Sequence, residues 1–176
     1  LLDVETADTD MGFSVRLPKD NIEWSGSNLS SLFAQKANIF RPRFWLMISD
    51  ILRFNKNANR LLALAQAHNL SLGQLLQLEN YSESFAQWYL LPMGAAIWST
   101  PSQDMLNFPA ESFIQFCLNH GLLQIKDRPQ WMTVTGSSRQ YVKKMCAGIG
   151  DVRLNNAVYG IERTTDGVLV KHQHGA

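Results

Sequence analysis

A charge-free aromatic segment, Trp88 to Trp98, carries the residues best suited to holding a small molecule. The segment contains two tryptophans, a tyrosine and a methionine, and its sequence Pro92-Met-Gly94 predicts a break in the helix. An irregular, apolar and aromatic backbone is typical of the wall of a ligand pocket. Core packing is the competing interpretation, and it is the commoner role of aromatic runs. We take Tyr89, Met93 and Trp98 as the candidate substrate-pocket residues.

The glycines near the end of the chain do not form a nucleotide-binding fingerprint. Gly148-Ile-Gly150 is the only Gly-x-Gly sequence, and Arg153 stands where a third glycine would fall. The predicted order around this pair is helix then strand, whereas a Rossmann phosphate site needs strand then helix. We therefore interpret Gly148 and Gly150 as a helix stop.

The segment Thr133 to Gln140 does run from a predicted strand into a predicted helix, and amides at the start of such a helix can bind an anion. Ser137 and Gln140 have the spacing of a capping box, which would satisfy those amides internally. Anion binding by this turn is therefore the less favoured interpretation.

Signals for metal or nucleophile chemistry are weak. His172 and His174 would lie on one face of a strand, but no third ligand is apparent, and an exposed tail is the favoured interpretation. The sequence contains no Gly-x-Ser-x-Gly, His-Glu-x-x-His or Cys-x-x-Cys. We predict no metal site and assign no catalytic residue.

Length and composition are those of an ordinary globular protein, with 176 residues, 45% hydrophobic and 18% charged. The net charge of +1 gives no reason to expect a nucleic-acid partner. Cys117 and Cys146 lie in apolar helical patterns typical of reduced core thiols, so we expect a cytoplasmic protein. No apolar run approaches the ~20 residues of a membrane span. The chain begins Leu1-Leu2 and ends directly after a strand pattern, so we interpret it as an internal segment.

The elements that must position these residues are mostly helices. Phe13 to Trp24 predicts a hairpin, and Pro42 opens a helix that continues to about His68. The apolar stripe of this helix is predicted to comprise Phe44, Ile48, Ile51, Ala58, Leu62 and Ala65, widened by Trp45, Leu52 and Leu61. The opposite face, interpreted as solvated, carries Arg53, Lys56 and Arg60.

Capping-box spacings at Ser71–Gln74 and Thr100–Gln103 predict two further short helices, over 72–79 and 101–106. The whole pattern predicts one α+β domain over residues 1–176, helix-rich with a small mixed or antiparallel sheet. Residues 151–171 form its last strands.

Five blocks of sequence point to a family: Glu23-Trp-Ser-Gly-Ser-Asn28, Leu32-Phe-Ala-Gln35, Arg41-Pro-Arg-Phe-Trp45, Tyr89 to Thr100, and Trp131-Met-Thr-Val-Thr-Gly136. They resemble bacterial FAD/NAD-binding proteins of the flavin-containing amine oxidase superfamily, whose genes tend to neighbour cyclopropane-fatty-acid synthases. The resemblance covers nearly the whole chain.

The resemblance implies a substrate-binding domain inserted into an FAD-binding domain that is split in sequence. Residues 151–171 would return toward that missing FAD-binding domain, and the backbone at Val158 would lie against the adenine side of FAD. This chain alone is not expected to hold the cofactor. The family usually has Gly-Gly before the helix that is predicted here over residues 138–147. In this chain Ser137 takes the second place, which alters the turn if a positive φ is required.

Two functional hypotheses follow. In the first, the chain is part of an FAD-dependent, amine oxidase-like oxidoreductase that acts on an apolar substrate, acyl or amine. In the second, it is a non-catalytic module that binds an apolar ligand or another protein. The first also predicts self-association through surface that the missing domain would cover.

Overall fold

The computed structural model describes residues 2–10, 12–26, 29–124 and 129–173. Its strands and helices, in chain order, are β1 (Thr6–Thr9), β2 (Ser14–Leu17), β3 (Ile22–Ser25), α1 (Leu29–Leu32), α2 (Pro42–His68), α3 (Leu72–Leu78), α4 (Glu83–Phe85), α5 (Leu91–Trp98), α6 (Ala110–Asn119), β4 (Trp131–Val134), α7 (Arg139–Ala147), β5 (Val158–Arg163) and β6 (Val168–His172). Three 3-10 turns cover Pro18–Asp20, Lys36–Phe40 and Asp104–Asn107, and a π turn covers Ala86–Leu90.

The chain divides into two compact units. We call residues 10–131 the helical unit, and residues 1–9 together with 132–176 the strand-rich unit. The helix-rich α+β fold is confirmed, with small two-stranded sheets. The prediction of one domain over residues 1–176 stays a prediction. Within the described ranges, no helix combines the length and apolar character needed to cross a membrane.

Helix α2 is the longest element of the helical unit. Pro42 occupies its first turn, where a missing N–H costs nothing, and Asn69 ends it in the left-handed conformation with its N–H bonded to the Ala65 carbonyl. Its 27 residues correspond to a length of roughly 40 Å. The predicted extent of this helix is confirmed.

The buried face of α2 differs from the predicted stripe. Ile48, Ile51 and Leu62 are only partly buried, while Trp45 and Leu52 are exposed. The fully covered positions are Phe44, Met47, Asp50, Phe54, Ala58, Leu61 and Ala65. The helix is rotated because α4 and α6 both pack against it, and the direction of such neighbours cannot be obtained from periodicity within one helix.

The segment before Trp98 is a continuous helix, so the irregular chain predicted at Pro92 is wrong. Leu91 donates its N–H to the Ala86 carbonyl across the π turn. Pro92 has no N–H for the Trp88 carbonyl, and that carbonyl instead accepts the indole N–H of Trp24 at 3.2 Å. A side chain from another element thus replaces the lost helical hydrogen bond.

The predicted hairpin is confirmed. Strands β2 and β3 pair antiparallel, with Val15 opposite Trp24, and Asn21 takes the left-handed conformation at the turn. Val15 and Trp24 point into the core of the helical unit. Of the predicted capping boxes, the one at Ser71–Gln74 is formed. The box at Thr100–Gln103 is not formed, because the chain makes a 3-10 turn there whose N-cap residue has no side-chain hydrogen bond.

The strand-rich unit follows the predicted order of strand, turn, helix and hairpin. Gly136 and Ser137 both have positive φ, +75° and +74°, before α7 begins. The capping box predicted at Ser137 is not formed, since Ser138 is the N-cap and makes no side-chain cap. The Gln140 side chain bonds to the Gly136 carbonyl instead, at 3.4 Å. Gly148 is the C-cap of α7, which confirms the predicted helix stop.

Strands β5 and β6 form an antiparallel hairpin with two unlike faces. Ile161 lies opposite Val170, and a bulge at Tyr159 puts Val158, opposite His172, on the same face. Val168 shares this face, so it is apolar along most of its length. The other face carries an ion pair between Glu162 and Lys171.

A candidate substrate cavity in the helical unit

A cavity of about 670 Å³ lies within the helical unit. Its volume is within the range of small-molecule sites. The lining residues are Asp10, Gly12, Phe13, Gly26, Tyr89, Met93, Ala96, Ile97, Gly121, Leu122, Pro129, Gln130 and Trp131. The structure therefore brings two of the three predicted pocket residues, Tyr89 and Met93, to one cavity.

The continuous helix through residues 83–98 positions the cavity residues. Tyr89 belongs to the π turn and Met93 lies four residues later in α5, so both side chains project from one side of the helix. Tyr89 is 8% exposed and Met93 7%. The Tyr89 ring also contacts the rings of Phe13 and Trp24, with centroid distances of 6.4 and 5.9 Å. Packing on both sides holds the phenol ring at the cavity wall.

The start of this helix is fixed by a buried carboxylate on α2. Asp50 is 6% exposed, and its Oδ2 accepts the backbone N–H of Ser82 at 2.9 Å. Its Oδ1 accepts hydrogen bonds from Nε and Nη2 of Arg53 at 3.1 and 2.9 Å. The Ser82 hydroxyl then caps the helix by accepting the N–H of Phe85. The register of the helix that carries Tyr89 is thus tied to α2.

The polar face of α2 is less solvated than predicted. Lys56 is exposed, but Arg53 donates to the carbonyl oxygens of Glu79 and Asn80 and lies 3.9 Å from the centre of the Tyr81 ring. Arg60 pairs with Glu79, and its hydrogen bonds hold the pKa of that carboxyl below its usual range. The solvated interpretation is therefore wrong for Arg53, which is partly buried, whereas Arg60 is exposed as predicted. Both arginines bind the turn before α4.

An aromatic series links that turn to the cavity. Tyr81, Phe85 and Tyr89 follow one another along the helix, with centroid distances of 4.9 and 5.6 Å between successive rings. Burial raises the pKa of the Tyr81 phenol, so this group stays protonated at neutral pH. The arrangement provides a rigid apolar support behind Tyr89.

Trp98 is not among the residues that line the cavity. Its ring packs against Phe108, Phe113 and Phe116, with centroid distances of 4.8, 5.6 and 4.9 Å. Trp98 therefore packs in the core, which is the alternative to a pocket role that the aromatic segment allowed.

Several lining residues could not be identified from the sequence. Ala96 and Ile97 lie seven and eight residues after Tyr89, which is the spacing of one helical face, and a continuous helix would have predicted them. Phe13 and Trp131 come from distant parts of the chain, and no local pattern indicates them. Trp131 also lies beside His120, whose ring is stacked at 4.0 Å on Phe116.

The cavity is apolar with one charged group. Phe13, Tyr89 and Trp131 supply aromatic rings, and Met93 supplies a polarisable thioether. Among the lining residues, all within the described part of the chain, Asp10 is the one side chain with a formal charge at neutral pH. Aromatic faces and a carboxylate both favour a cationic group over an anionic one.

The strand-rich unit holds the predicted cofactor contact, Val158, at the start of β5 with its side chain exposed. A Rossmann-type FAD site requires a parallel sheet with a phosphate-binding turn at its carboxyl edge. The described strands pair only in twos, and Gly148 ends a helix rather than starting one. These residues therefore do not fit a complete FAD site, and they are assigned no chemical step.

Only one of the two histidines of the possible metal pair lies among the described residues. His172 ends β6, and His174 lies outside the described residues. Among the residues that the structure describes, no three His, Cys, Asp or Glu side chains form a group suited to a metal ion.

The sequence matches no protein-family model, and a search of curated proteins finds no match.

Proposed function

We propose that this chain is the substrate-binding part of an FAD-dependent, amine oxidase-like oxidoreductase of the cytoplasm. The observation that carries the proposal is the cavity of about 670 Å³ whose wall includes Tyr89 and Met93. Both residues belong to one of the sequence blocks that resemble the superfamily. Their role is to orient an apolar substrate and to exclude water from it.

The charge of the lining favours an amine over an acyl anion as the substrate. Asp10 would attract an ammonium group, and the rings of Phe13, Tyr89 and Trp131 would offer their electron-rich faces to it. A carboxylate substrate would meet repulsion from Asp10 and no cationic side chain on the described lining. The substrate is therefore proposed to be an apolar molecule with a basic nitrogen.

The flavin would be held by an FAD-binding domain of the same protein, with this chain contributing the backbone near Val158. Support comes from the strand-rich unit, where the apolar face of the β5–β6 hairpin is exposed: Val158 by 53%, Ile161 by 67% and Val168 by 56%. A two-stranded hairpin is marginally stable unless a face of it is covered. An FAD-binding domain would provide that cover.

Spectroscopy of the natural protein tests the cofactor. The protein encoded by the complete natural gene, purified under mild conditions, is expected to carry the visible absorbance of a flavin. Added alkylamine is expected to bleach that absorbance anaerobically, because the flavin accepts the hydride. Absence of flavin would remove the oxidoreductase and leave the alternative, a module that binds an apolar ligand or a protein.

Calorimetry with this chain tests the cavity separately. A long-chain alkylamine is expected to bind more tightly than the fatty acid of equal length. Ala96→Trp, at an exposed position of the lining, should weaken binding by placing an indole ring in part of the cavity. The matched control is Ala63→Trp, an exposed alanine of α2 outside the lining, which should bind normally. Asp10→Asn should weaken amine binding a few-fold, since an exposed carboxylate contributes at most about 1 kcal/mol. Equal affinities for amine and acid would contradict the amine assignment.

A further inference from the structure

An apolar patch around the start of α2 is exposed on the helical unit, where Leu52 and Leu78 are the other exposed large apolar side chains among the described residues. Phe40 is 85% exposed, the highest value among the large apolar side chains of the described residues. Ile39, Trp45 and Leu46 adjoin it along the chain and are 45%, 49% and 51% exposed. We call these four residues the α2 patch.

The α2 patch is held in place by hydrogen bonds and ring contacts. The Trp45 indole N–H donates to the Ile39 carbonyl at 2.8 Å, and its ring lies 5.5 Å from that of Phe33. Just before the patch, the fully buried Asn38 donates its side-chain amide to the Glu23 carbonyl at 3.0 Å. These contacts present Phe40 to solvent on an ordered turn, so its exposure is a property of the fold.

The chain around the patch is basic. Residues 29–49 contain Lys36, Arg41 and Arg43 and no acidic side chain. Arg43 is paired with Glu83 at 2.9 Å. Arg41 donates to the Asn21 carbonyl, which leaves its charge uncompensated by that contact. The patch therefore combines exposed aromatic and aliphatic side chains with the nearby positive charges of Lys36 and Arg41.

We propose that the α2 patch docks the protein reversibly onto the surface of an anionic lipid bilayer. Phe and Trp side chains beside Lys and Arg are the combination that binds at the interface between headgroups and acyl chains. Each nearby cation adds attraction to anionic headgroups, which salt screens. The proposal does not depend on the oxidoreductase function.

Vesicle sedimentation tests the proposal. The full chain is expected to sediment with phosphatidylcholine vesicles that contain phosphatidylserine, less with phosphatidylcholine alone, and to be released by high salt. Phe40→Asp should weaken the partition at least about tenfold, because it removes the insertion of one aromatic side chain. Leu78→Asp is the matched control, at a leucine of α3 that is 56% exposed, and it should leave the partition unchanged.

Fluorescence locates the contact. Brominated lipids are expected to quench tryptophan emission of the bound protein, and Trp45→Phe should remove most of that quenching while the protein still binds. Equal sedimentation of the Phe40→Asp and Leu78→Asp variants would overturn the proposal. So would failure to sediment with either vesicle. If Phe40→Asp instead lowers the molecular mass in light scattering, the patch binds a second protein copy and the lipid proposal is wrong.

Discussion

The helical unit and the strand-rich unit use apolar residues in opposite ways. Every buried apolar side chain of the described residues belongs to the helical unit, from Val15 to Leu123. Most of the exposed large apolar side chains belong to the strand-rich unit, although that unit is much the smaller. The helical unit thus contains a complete core, whereas the strand-rich unit presents surfaces that a core would normally cover.

The exposed residues of the strand-rich unit are patterned. On α7, Val142 and Met145 are three residues apart and Tyr141 and Met145 four, so they form one stripe. On the hairpin, Val158, Ile161, Val168 and Val170 share one face, and the other face carries the Glu162–Lys171 ion pair together with Leu169. Regular amphipathic patterns of this kind are typical of elements that pack against a partner. The buried core and most of the exposed apolar patterns thus lie in different parts of this chain.

The two units are expected to differ most in the free energy of unfolding that is lost when a large apolar side chain is truncated to alanine. Phe54 is fully buried and its ring contacts Tyr81 and Phe85, so Phe54→Ala should lower the free energy of unfolding by about 4 kcal/mol. Ile161→Ala on the hairpin should change it by less than about 0.5 kcal/mol. Urea denaturation measures both. A loss of several kcal/mol from Ile161→Ala would break the comparison, since it would require a covered hairpin face.

The next largest effect is expected when the buried Asp50 carboxylate loses its ion pair with Arg53. Arg53→Leu leaves Asp50 with only the Ser82 amide and should destabilise the helical unit by about 2 kcal/mol, less than a fully buried pair because Arg53 is partly exposed. Lys56→Leu, at an exposed position of the same helix, should change the free energy of unfolding by less than about 0.5 kcal/mol. Chemical denaturation of the two variants side by side checks this. Equal effects would show that Arg53 does not hold the turn.

The two cysteines should respond differently to pH and to thiol reagents. Burial raises the pKa of the Cys117 thiol from its usual value of 9.0 to about 12, so the thiol stays protonated in the folded protein at neutral pH. The unfolded chain releases this proton first, so stability is complete below pH 9 and falls by about 1.4 kcal/mol per pH unit between 9 and about 12. Cys117→Ala should remove that slope.

The predicted core position is confirmed for Cys117 and wrong for Cys146, which is exposed on α7. At neutral pH Cys146 should therefore react with a disulfide reagent, while Cys117 should react only on unfolding. Counting labelled thiols by mass spectrometry decides this. Rapid labelling of both thiols in native conditions would contradict the completeness of the helical core.

The smallest expected effect concerns the turn before α7. Ser137 has φ of +74°, a conformation that costs a residue with a side chain about 1 kcal/mol, so Ser137→Gly should stabilise α7 by roughly 0.5–1 kcal/mol. Gly136→Ser should act in the opposite direction, because its added Cβ would lie 2.9 Å from the Gln140 side chain at φ +75°. Hydrogen exchange of α7 amides measures both changes. Destabilisation by Ser137→Gly would show that the serine side chain contributes more than its strain costs.

Local signals in the sequence predicted much of the fold. Pro42 and the Ser71–Gln74 capping box mark helix starts through contacts within a few residues, and both predictions are confirmed. The break expected at Pro92 is wrong because Trp24, from a distant strand, satisfies the carbonyl that proline leaves free. Gly94 also suits this helix, since a Cβ there would lie 2.6 Å from the Met105 side chain.

The candidate site was predictable only in part, for the same reason. Tyr89 and Met93 lie in a composition that indicates a pocket, and the structure places both at the cavity. Trp98 has the same local composition but faces a different cluster of rings. Asp10 and Trp131 reach the cavity through the path of the chain in three dimensions. Their contribution depends on long-range packing, which no spacing within one segment encodes.

Hydrogen exchange tests the difference between the units most directly, on this chain alone and on the protein encoded by the complete natural gene. Amides of α2 are expected to be strongly protected in both. Amides of α7 and of the β5–β6 hairpin are expected to exchange rapidly in this chain and to become protected in the natural protein, where the proposed FAD-binding domain would cover them. Equal protection of α7 and the hairpin in both samples would contradict the need for a covering partner.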